Sequence, residues 1–375
     1  MPLFGAPGER IGYELYSNPD GAPPLVLIHG FTASKASFAA NIEGLRAHFT
    51  VITVELLGHG ESDAPEDPIF YTPERAIRRL LQLFEHIGYQ RVLLCGHSLG
   101  GALALRLALD APEWVAGLVV INSSSAAGTP EWREAARPRM AEMAARVRAE
   151  GTGFMKETRL YPAHSKRLDP RSKQLLTEDF DRLQPAGVAG TADSLVIDAN
   201  AWERHPALAV PMLLVVGERD ADFAPNAAAF LDRFPQELVQ QVNLPAAGHA
   251  ANIEQPAEFE AAVTGFAHEI GYLRGAAAQG SRVLTAVGGM LVVAGLGLLA
   301  AAVFFNSSGS KNDNGLLAAD ADSTQPPAAT STAIAEVAGT STSGKPTQPN
   351  AVDTSATRPS AATATATVAA TATPA

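Results

Sequence analysis

The stretch Val92-Leu-Leu-Cys-Gly-His-Ser-Leu-Gly-Gly101 decides the fold of this 375-residue chain. Its first four residues are apolar and predict a buried strand, and the residues after Ser98 have a helical pattern as far as Asp110. Gly96 and Gly100 flank Ser98 at two residues' distance because a sharp strand-to-helix turn leaves no room for larger side chains. The stretch therefore predicts a serine lifted out of a sheet at a helix N-terminus, where developing negative charge is stabilised. Taken alone, the pentapeptide is also compatible with a chance glycine turn.

Similar apolar runs recur along the first 273 residues. They lack the alternation of a half-exposed strand, which is typical of parallel strands covered on both faces. Helical patterns lie between the runs, and two of them begin at Pro73 and Pro256, where proline suits the first turn of a helix. Strands alternating with helices predict an α/β fold with a doubly wound, mostly parallel sheet. Besides Val92–Cys95, the predicted strands are Leu25–Ile28, Val51–Val54, Leu118–Ile121 and Met212–Val216.

With His29-Gly30-Phe31 after the strand Leu25–Ile28, the chain resembles α/β-hydrolase-fold enzymes over nearly all of residues 10–272. The resemblance implies an oxyanion hole built from two backbone N–H groups, those of Phe31 and Leu99. The segment from Glu55 to Ser62 is similar to the family's structural D-x-x-G-x-G-x-S turn, with Glu in place of Asp. The residues expected to support the elbow and the oxyanion loop are His29, Gly30, Gly96, His97 and Gly100.

Two further turns carry residues that match the family's catalytic acid and base. Asp220 lies in a Gly-x-x-Asp turn after the strand Met212–Val216, and His249 lies in a Gly-His loop before the last helix. The order Ser98, Asp220, His249 is the family order of nucleophile, acid and base. His249 is expected to take the Ser98 proton while Asp220 fixes the imidazole tautomer. Asp222 is the alternative acid in the same turn, although its spacing fits the motif less well.

The resemblance narrows the reaction without naming the substrate. A serine at the elbow disfavours the epoxide hydrolase and haloalkane dehalogenase branches, which carry Asp there. A membrane-anchored hydrolase of small esters or related acyl substrates is expected, and a carbon–carbon bond hydrolase or a menaquinone-pathway lyase is the alternative. The lyases commonly have Arg after the second glycine of the pair, where this chain has Ala102. A non-catalytic, ligand-binding signalling protein of the same fold is the other alternative, because fold does not fix function.

Composition excludes several classes of partner. Lys and Arg total 28 against 39 Asp and Glu, a net charge of −11 that argues against nucleic acid. The single cysteine, Cys95, excludes a disulfide framework and is expected to be an inert core thiol. The sequence has no metal-ligand spacing and no glycine-rich nucleotide motif, so we expect neither a metal nor an organic cofactor.

The chain is predicted to have four parts. Residues 1–273 form the hydrolase domain, in which the strand–helix alternation lapses at about 123–206; this insertion predicts a lid, or else an ordinary helical decoration. Residues 274–282 are a linker, and 283–305 carry no charge and suit a transmembrane helix, with a buried soluble helix as the alternative. Residues 306–375 are rich in Ala, Thr, Ser and Pro and predict a disordered tail, serving as a spacer or an O-glycosylated stalk.

The flanks of the apolar segment predict its orientation. Arg274 and Arg282 precede it, and Lys311 is the first basic residue after it. This small excess of positive charge favours the hydrolase domain on the cytoplasmic side of the membrane. We therefore expect a single-pass protein with its tail outside and membrane lipid in contact with residues 283–305.

Overall fold

One sheet of eight strands organises residues 1–273, the part of the chain that the structure, a computed structural model, describes. The strands are β1 (Leu3–Phe4), β2 (Ile11–Tyr16), β3 (Pro24–Ile28), β4 (Thr50–Glu55), β5 (Val92–His97), β6 (Val115–Ile121), β7 (Met212–Gly217) and β8 (Val239–Leu244). Their order is β1-β2-β4-β3-β5-β6-β7-β8. The pairings β1–β2 and β2–β4 are antiparallel and the others are parallel, which confirms the predicted fold class.

The five predicted strands are present, and their residues are buried throughout. The sequence did not predict β1, β2 and β8, which lie at or next to the edges of the sheet. The strand β8 has the sequence VQQVNL and is largely exposed, so it lacks a continuous apolar run. An edge strand needs less apolar surface than a central one, and that is why these strands were missed.

The helices are α1 (Ile42–Arg46), α2 (Pro73–His86), α3 (Leu99–Asp110), α4 (Ser124–Ala127), α5 (Pro130–Glu150), α6 (Pro170–Phe180), α7 (Pro185–Gly190), α8 (Val196–Asp198), α9 (Ala227–Leu231), α10 (Ala251–Glu254) and α11 (Pro256–Glu269). A π-helical turn, Thr191–Leu195, joins α7 to α8. The 3₁₀ segments are Lys35–Phe38, Pro68–Tyr71, Pro112–Trp114, Gly153–Glu157, Pro162–His164, Trp202–Ala207, Ala224–Asn226 and Gln236–Leu238. The helices predicted to begin near Pro73, Ser98 and Pro256 are confirmed to within a residue.

Alternate side chains of the central strands pack on opposite faces of the sheet. Val26 and Leu94 lie in one apolar cluster with residues of α2 and α3, and Leu25 and Leu93 lie in a second cluster with residues of α1 and α11. Cys95 belongs to the second cluster, where burial raises the pKa of its thiol. Both faces of the sheet are therefore covered, as parallel strands require.

Residues 124–207, here called the cap, are mainly helical and have an apolar cluster of their own. Phe31, in the loop after β3, packs against both this cluster and the main one. The cap therefore lies against the loop that follows β3. The cluster consists of Ala144, Val147, Met155, Phe180, Val188, Ala189 and Ala192.

The predicted linker 274–282, membrane segment 283–305 and tail 306–375 lie outside the described residues. Within residues 1–273, no helix combines the length and the apolar character needed to cross a bilayer.

Candidate active site

The predicted catalytic residues follow neighbouring strands at one edge of the sheet. The strand register pairs Ile28 with Gly96, Ile121 with both His97 and Val215, and Gly217 with Leu244. Carboxyl ends of parallel strands share one edge, and in open α/β sheets ligands bind outside that edge. The loops that carry Phe31, Ser98, Asp220 and His249 therefore begin side by side.

Backbone strain is concentrated at this edge. Among the described residues, the non-glycine residues with positive φ are Thr32 (58°), Ser98 (52°) and Asn122 (39°). They follow β3, β5 and β6 within a few residues. Ser98 has ψ −117°, outside the ordinary left-handed region, and Thr32 is β-branched, so both conformations are costly. Strain of this kind persists where the surrounding structure holds a residue in a special geometry.

Glycines allow three chain segments to meet at Ser98. A Cβ on Gly96 would collide with the carbonyl of Gly100, and a Cβ on Gly100 would collide with the carbonyl of Ile28. A Cβ on Gly30 would lie 3.1 Å from the Ser98 Cβ, so the loop after β3 runs directly past the serine. The predicted requirement for small residues around Ser98 is thus explained by backbone contacts with β3 as well as by the turn itself.

Asp220 and His249 form a hydrogen bond of 2.7 Å between Oδ2 and Nδ1. The Asp220 side chain is 3% exposed and that of His249 is 49% exposed. Because the carboxylate accepts, the proton is on Nδ1, and Nε2 of a neutral His249 keeps a free lone pair. Burial by itself would raise the pKa of Asp220, but its hydrogen bond with His249 and the amides of Asp222 and Phe223, which donate to Oδ1, bring that pKa below its usual range.

Asp222, the alternative acid, has another partner. Its Oδ2 lies 2.7 Å from Nη1 of Arg159 in the cap, and about half of its side chain is exposed. The hydrogen bond to His249 comes from Asp220 instead. The geometry therefore favours Asp220 as the partner of the histidine.

Two side chains hold the backbone of the His249 loop. Asn122 Nδ2 donates to the carbonyls of Gly248 (2.7 Å) and His249 (3.0 Å), while its Oδ1 accepts from the amide of Gly217 (3.0 Å). His97 Nε2 donates to the His249 carbonyl at 2.8 Å, and the two imidazole rings are 4.8 Å apart. Asn122 thereby joins the end of β6 to the loops that carry both Asp220 and His249.

Within the described residues, the backbone amides of Phe31 and Leu99 have no hydrogen-bond acceptor. Leu99 is the first residue of α3, and the first amides of a helix lack intrahelical partners. These are the two N–H groups that the resemblance implies for the oxyanion hole.

His29 stabilises the loop after β3. Its Nε2 accepts from the amide of Leu56 at 3.0 Å, and its Nδ1 donates to the carbonyl of Gly30 at 2.7 Å. Burial lowers the pKa of His29 to about 4, so the ring is neutral at pH 7. The Glu55–Ser62 turn beside it is closed by the Glu61 amide, which donates to the Glu55 carboxylate at 2.8 Å.

Sequence reasoning missed Thr32, Asn122 and Ser123. Ser123 Oγ donates to the carbonyl of Ser98 at 2.5 Å and so holds the serine from the β6 side. The available signal was the polar run Asn122-Ser123 directly after a buried strand, because polar residues at the carboxyl end of a parallel strand are often functional. In the described residues, His, Cys, Asp and Glu side chains form no group of three that could hold a metal ion.

The comparisons with known proteins agree with the fold. The sequence profile of the alpha/beta hydrolase fold matches residues 23–256. A Bacillus subtilis protein assigned as a 2-succinyl-6-hydroxy-2,4-cyclohexadiene-1-carboxylate synthase is 30% identical over 260 residues, which cover 66% of this chain and 91% of that protein.

Two further matches represent different branches. Epoxide hydrolase 4 of Mus musculus is 25% identical, and the match covers 63% of this chain and 70% of that one. The solved structure of a thermophilic esterase from Thermogutta terrifontis is 27% identical with a TM-score of 0.60, over 70% of this chain and 94% of that one. The matched proteins thus share a fold but differ in reaction.

Proposed function

The chain belongs to the α/β-hydrolase family and is an enzyme of that type, and from this premise we propose that it hydrolyses a small ester through an acyl-enzyme on Ser98. In this proposal His249 is the general base and Asp220 holds it. The backbone amides of Phe31 and Leu99 bind the oxyanion. The physiological substrate is a small molecule, and no cofactor takes part in the steps proposed.

The observation that carries the proposal is the backbone strain at Ser98. A serine that served only as a helix cap would have an extended backbone and would accept hydrogen bonds from the first turn. Ser98 instead has φ 52°, and its side chain makes no capping hydrogen bond to α3. Holding a non-glycine residue in this geometry costs about 1–3 kcal/mol, which is typical of functional positions.

Proton transfer follows from the tautomer of His249. With the proton on Nδ1 bound by Asp220, Nε2 can accept the Ser98 hydroxyl proton during attack on the ester carbonyl. The same proton then passes from Nε2 to the leaving alcohol. In the second half of the cycle, His249 takes a proton from water while the water oxygen attacks the acyl carbonyl. The bond from the acyl carbon to Ser98 Oγ then breaks, and the proton passes from His249 to Ser98 Oγ as the carboxylic acid leaves.

The oxyanion needs donors fixed before the reaction begins. The amides of Phe31 and Leu99 meet this need. Phe31 directly follows Gly30, whose carbonyl is held by a hydrogen bond from His29, and Leu99 is the first residue of α3. A donor of this type contributes about 3 kcal/mol to lowering the barrier.

The chemistry of a serine nucleophile also favours a different reaction class from that of the epoxide hydrolase relative. A hydroxyl that displaces a group at a saturated carbon becomes an ether, which water does not cleave under enzymatic conditions. Acyl transfer instead gives an ester on Ser98, and the second attack of water cleaves an ester readily. The serine therefore supports acyl transfer as the reaction class.

A synthase reaction is the second candidate, favoured by the 30% identity to the B. subtilis protein. A lyase of this fold uses the serine and histidine to move protons and forms no acyl-enzyme. The residue after Gly101 is Ala102, where such lyases commonly have Arg, and this departure favours the hydrolase.

The test offers p-nitrophenyl acetate and a fluorophosphonate probe to the purified protein. We expect release of p-nitrophenol, and quenched samples should show an acetyl group on the peptide that contains Ser98. Ser98→Ala should abolish both, while Ser172→Ala, on α6 in the cap, serves as the matched control. A protein that bears the probe but never an acetyl adduct, and releases no p-nitrophenol, would favour the synthase.

We also propose that residues 283–305 anchor the enzyme in a membrane with the hydrolase domain on the cytoplasmic side. This rests on the uncharged sequence of the segment and on Arg274 and Arg282 before it. Protease added to intact cells should remove a C-terminal tag and leave the hydrolase domain intact. Recovery of the full chain in the soluble fraction, or digestion of the hydrolase domain, would contradict this part of the proposal.

A further inference from the structure

The loop that carries His249 is bound by a carboxylate that has no part in the chemistry proposed above. Glu254 is the last residue of α10, and its Oε2 accepts a hydrogen bond of 2.7 Å from the amide of Gly248. The Glu254 side chain is only 7% exposed. Because Gly248 directly precedes His249, this bond fixes the backbone one residue before the proposed base.

Gly248 is also held through its carbonyl. Asn122 Nδ2 donates to that carbonyl at 2.7 Å, and a Cβ on Gly217 would lie 2.1 Å from its oxygen. Glu254 therefore binds one of the two peptide groups that flank the Gly248 Cα, and Asn122 binds the other. The position of the next residue, His249, depends on both of these side chains.

A residue of the cap completes this arrangement. Arg167, in the cap loop before α6, has its Nε 3.8 Å from Glu254 Oε2. A Cβ on Gly248 would lie 3.0 Å from Nη1 of Arg167, so the guanidinium packs directly on the glycine. A carboxylate with little exposure is costly unless it is both hydrogen-bonded and paired with a positive charge. The amide of Gly248 supplies the hydrogen bond, and the cap supplies the charge.

A second arginine of the cap contacts the other catalytic loop in a different way. Nη1 of Arg159 lies 2.7 Å from Asp222 Oδ2, but the two side chains are 79% and 51% exposed, so solvent screens the pair. The amide of Asp222, rather than its carboxylate, donates to Asp220 Oδ1. Arg159 therefore carries the same charge into a similar place without holding a carboxylate that binds the loop backbone.

We propose that Glu254 is a positioning residue for the general base, and that Arg167 brings the cap into this role by fixing the Glu254 carboxylate. The inference rests on the proposed role of His249 in activating Ser98. A hydrogen bond to a carboxylate is about twice as strong as one between neutral groups. Holding the Gly248 backbone limits displacement of the imidazole, and a displacement of about 1 Å costs on the order of 100-fold in rate.

The experiment uses the full chain and measures kcat and KM for p-nitrophenyl acetate, together with the rate at which a fluorophosphonate labels Ser98. Glu254→Ala should lower kcat and the labelling rate by about 100-fold, with KM nearly unchanged. Glu254→Gln keeps the shape of the side chain and an oxygen that accepts from the Gly248 amide, so it should recover about tenfold of that loss. A residue that only stabilised the fold would change the urea midpoint and leave kcat of the folded protein at the wild-type value.

The contribution of the cap is measured by a double-mutant cycle. Arg167→Ala should lower kcat by about fivefold in the wild-type background and should have no further effect in Glu254→Ala or Glu254→Gln. Arg159→Ala is the matched control, and its kcat should stay within about twofold of the wild-type value. Equal losses in Arg167→Ala and Arg159→Ala, or an undiminished loss from Arg167→Ala when Glu254 is replaced, would overturn the role of the cap.

The outcomes also separate this inference from the proposed esterase. Wild-type kcat in Glu254→Ala overturns the positioning role and leaves the esterase standing. If the ester is not hydrolysed but Ser98 is labelled, the esterase fails and the labelling rates decide: slower labelling of Glu254→Ala supports the positioning role, and equal rates overturn it. A wild-type protein that is neither labelled nor active overturns both. If Glu254→Ala does not fold, Glu254→Gln and Arg167→Ala give the same comparison.

Discussion

The sheet and the cap differ in how much of their sequence is buried. Every residue of the strands β3 to β7 is buried, whereas α5, the longest helix of the cap, buries only Ala136, Ala144 and Val147 of its 21 residues. Apolar burial of about 25 cal/mol per Å² fixes the sheet and the turns at its edge. The cap therefore has the greater freedom to change its sequence, while the sheet holds the reacting groups in place.

One close contact of the cap is with the turn after β4: Gly187 on α7 packs against Gly58 so closely that a Cβ on either would collide with the other's backbone. Within the cap, Asn200 donates to the carbonyls of Ser125 and Gly128 at 2.7 and 2.9 Å. This comparison predicts that the same type of substitution will affect catalysis in the sheet and mainly stability or selectivity in the cap.

The largest effect is expected at the edge of the sheet. Ser98→Ala, His249→Ala and Asp220→Asn should each lower kcat by about 10⁴-fold or more, because the triad acts as a unit. Thermal unfolding of Ser98→Ala should change little, since the serine contributes little packing. Ser172→Ala in the cap is the control. Equal losses of kcat in Ser98→Ala and Ser172→Ala would contradict the predicted difference between sheet and cap.

Asn122→Gly should have the next largest effect. Glycine tolerates φ 39° without strain, so this variant removes only the side-chain hydrogen bonds to the His249 and Gly217 backbones. A displaced histidine should lower kcat on the order of 100-fold with KM nearly unchanged, as a misplacement of about 1 Å does. Steady-state kinetics and urea unfolding measure the two consequences separately.

Asn200→Gly is the matched variant for Asn122→Gly in the cap. Asn200 is also buried and also donates to several carbonyls, so both variants should lose about 2 kcal/mol of unfolding free energy. Only Asn122→Gly should lose most of its kcat. Similar kcat values in the two variants would show that Asn122 does not position the histidine.

Acid should destabilise the junction between cap and scaffold at His205. This ring is fully buried, stacks on Phe234 at 4.7 Å, and has no hydrogen-bond partner among the described residues. Burial and, to a smaller extent, the charge of Arg233 lower the pKa of His205 to about 3. The unfolded chain binds this proton near pH 6.5, so the stabilising contribution is complete above that pH and declines as pH falls towards 3.

His205→Phe should therefore reduce the loss of unfolding free energy between pH 6 and pH 4 by about 1.4 kcal/mol per pH unit. Phenylalanine keeps the stacking on Phe234 and removes the titrating group. Urea unfolding at several pH values measures the slope, with the exposed cap residue changed in His164→Phe as the control. An unchanged slope in His205→Phe would contradict the prediction.

The smallest effect is expected for an ion pair on the cap surface. Arg137 and Asp198 are 2.8 Å apart, but their side chains are 54% and 41% exposed, so Arg137→Ala should change the unfolding free energy by less than about 1 kcal/mol. Arg79 on α2 is 10% exposed and binds both Glu9 and the Phe70 carbonyl. Arg79→Ala should lower the unfolding free energy by about 2–3 kcal/mol. Equal losses in Arg79→Ala and Arg137→Ala would contradict this prediction.

The sequence by itself determined the central fold. Continuous apolar runs predicted β3 to β7, and the prolines at the first turns of α2 and α11 located those helices, because burial on both faces and fixed φ angles leave local signatures. The elbow motif and the resemblance to the hydrolase family identified Ser98, Asp220 and His249 as candidates. The pattern of apolar runs missed β2 and β8, whose exposed faces need no such run.

Only the tertiary structure chose between Asp220 and Asp222, which lie two residues apart in one turn. The choice depends on which carboxylate meets His249 and which meets Arg159, and both contacts join segments that are distant along the chain. The contacts of Asn122 with the loop that carries His249 were decided in the same way. Sequence patterns record local backbone preference and burial, whereas a site is a set of contacts between segments that packing alone brings together.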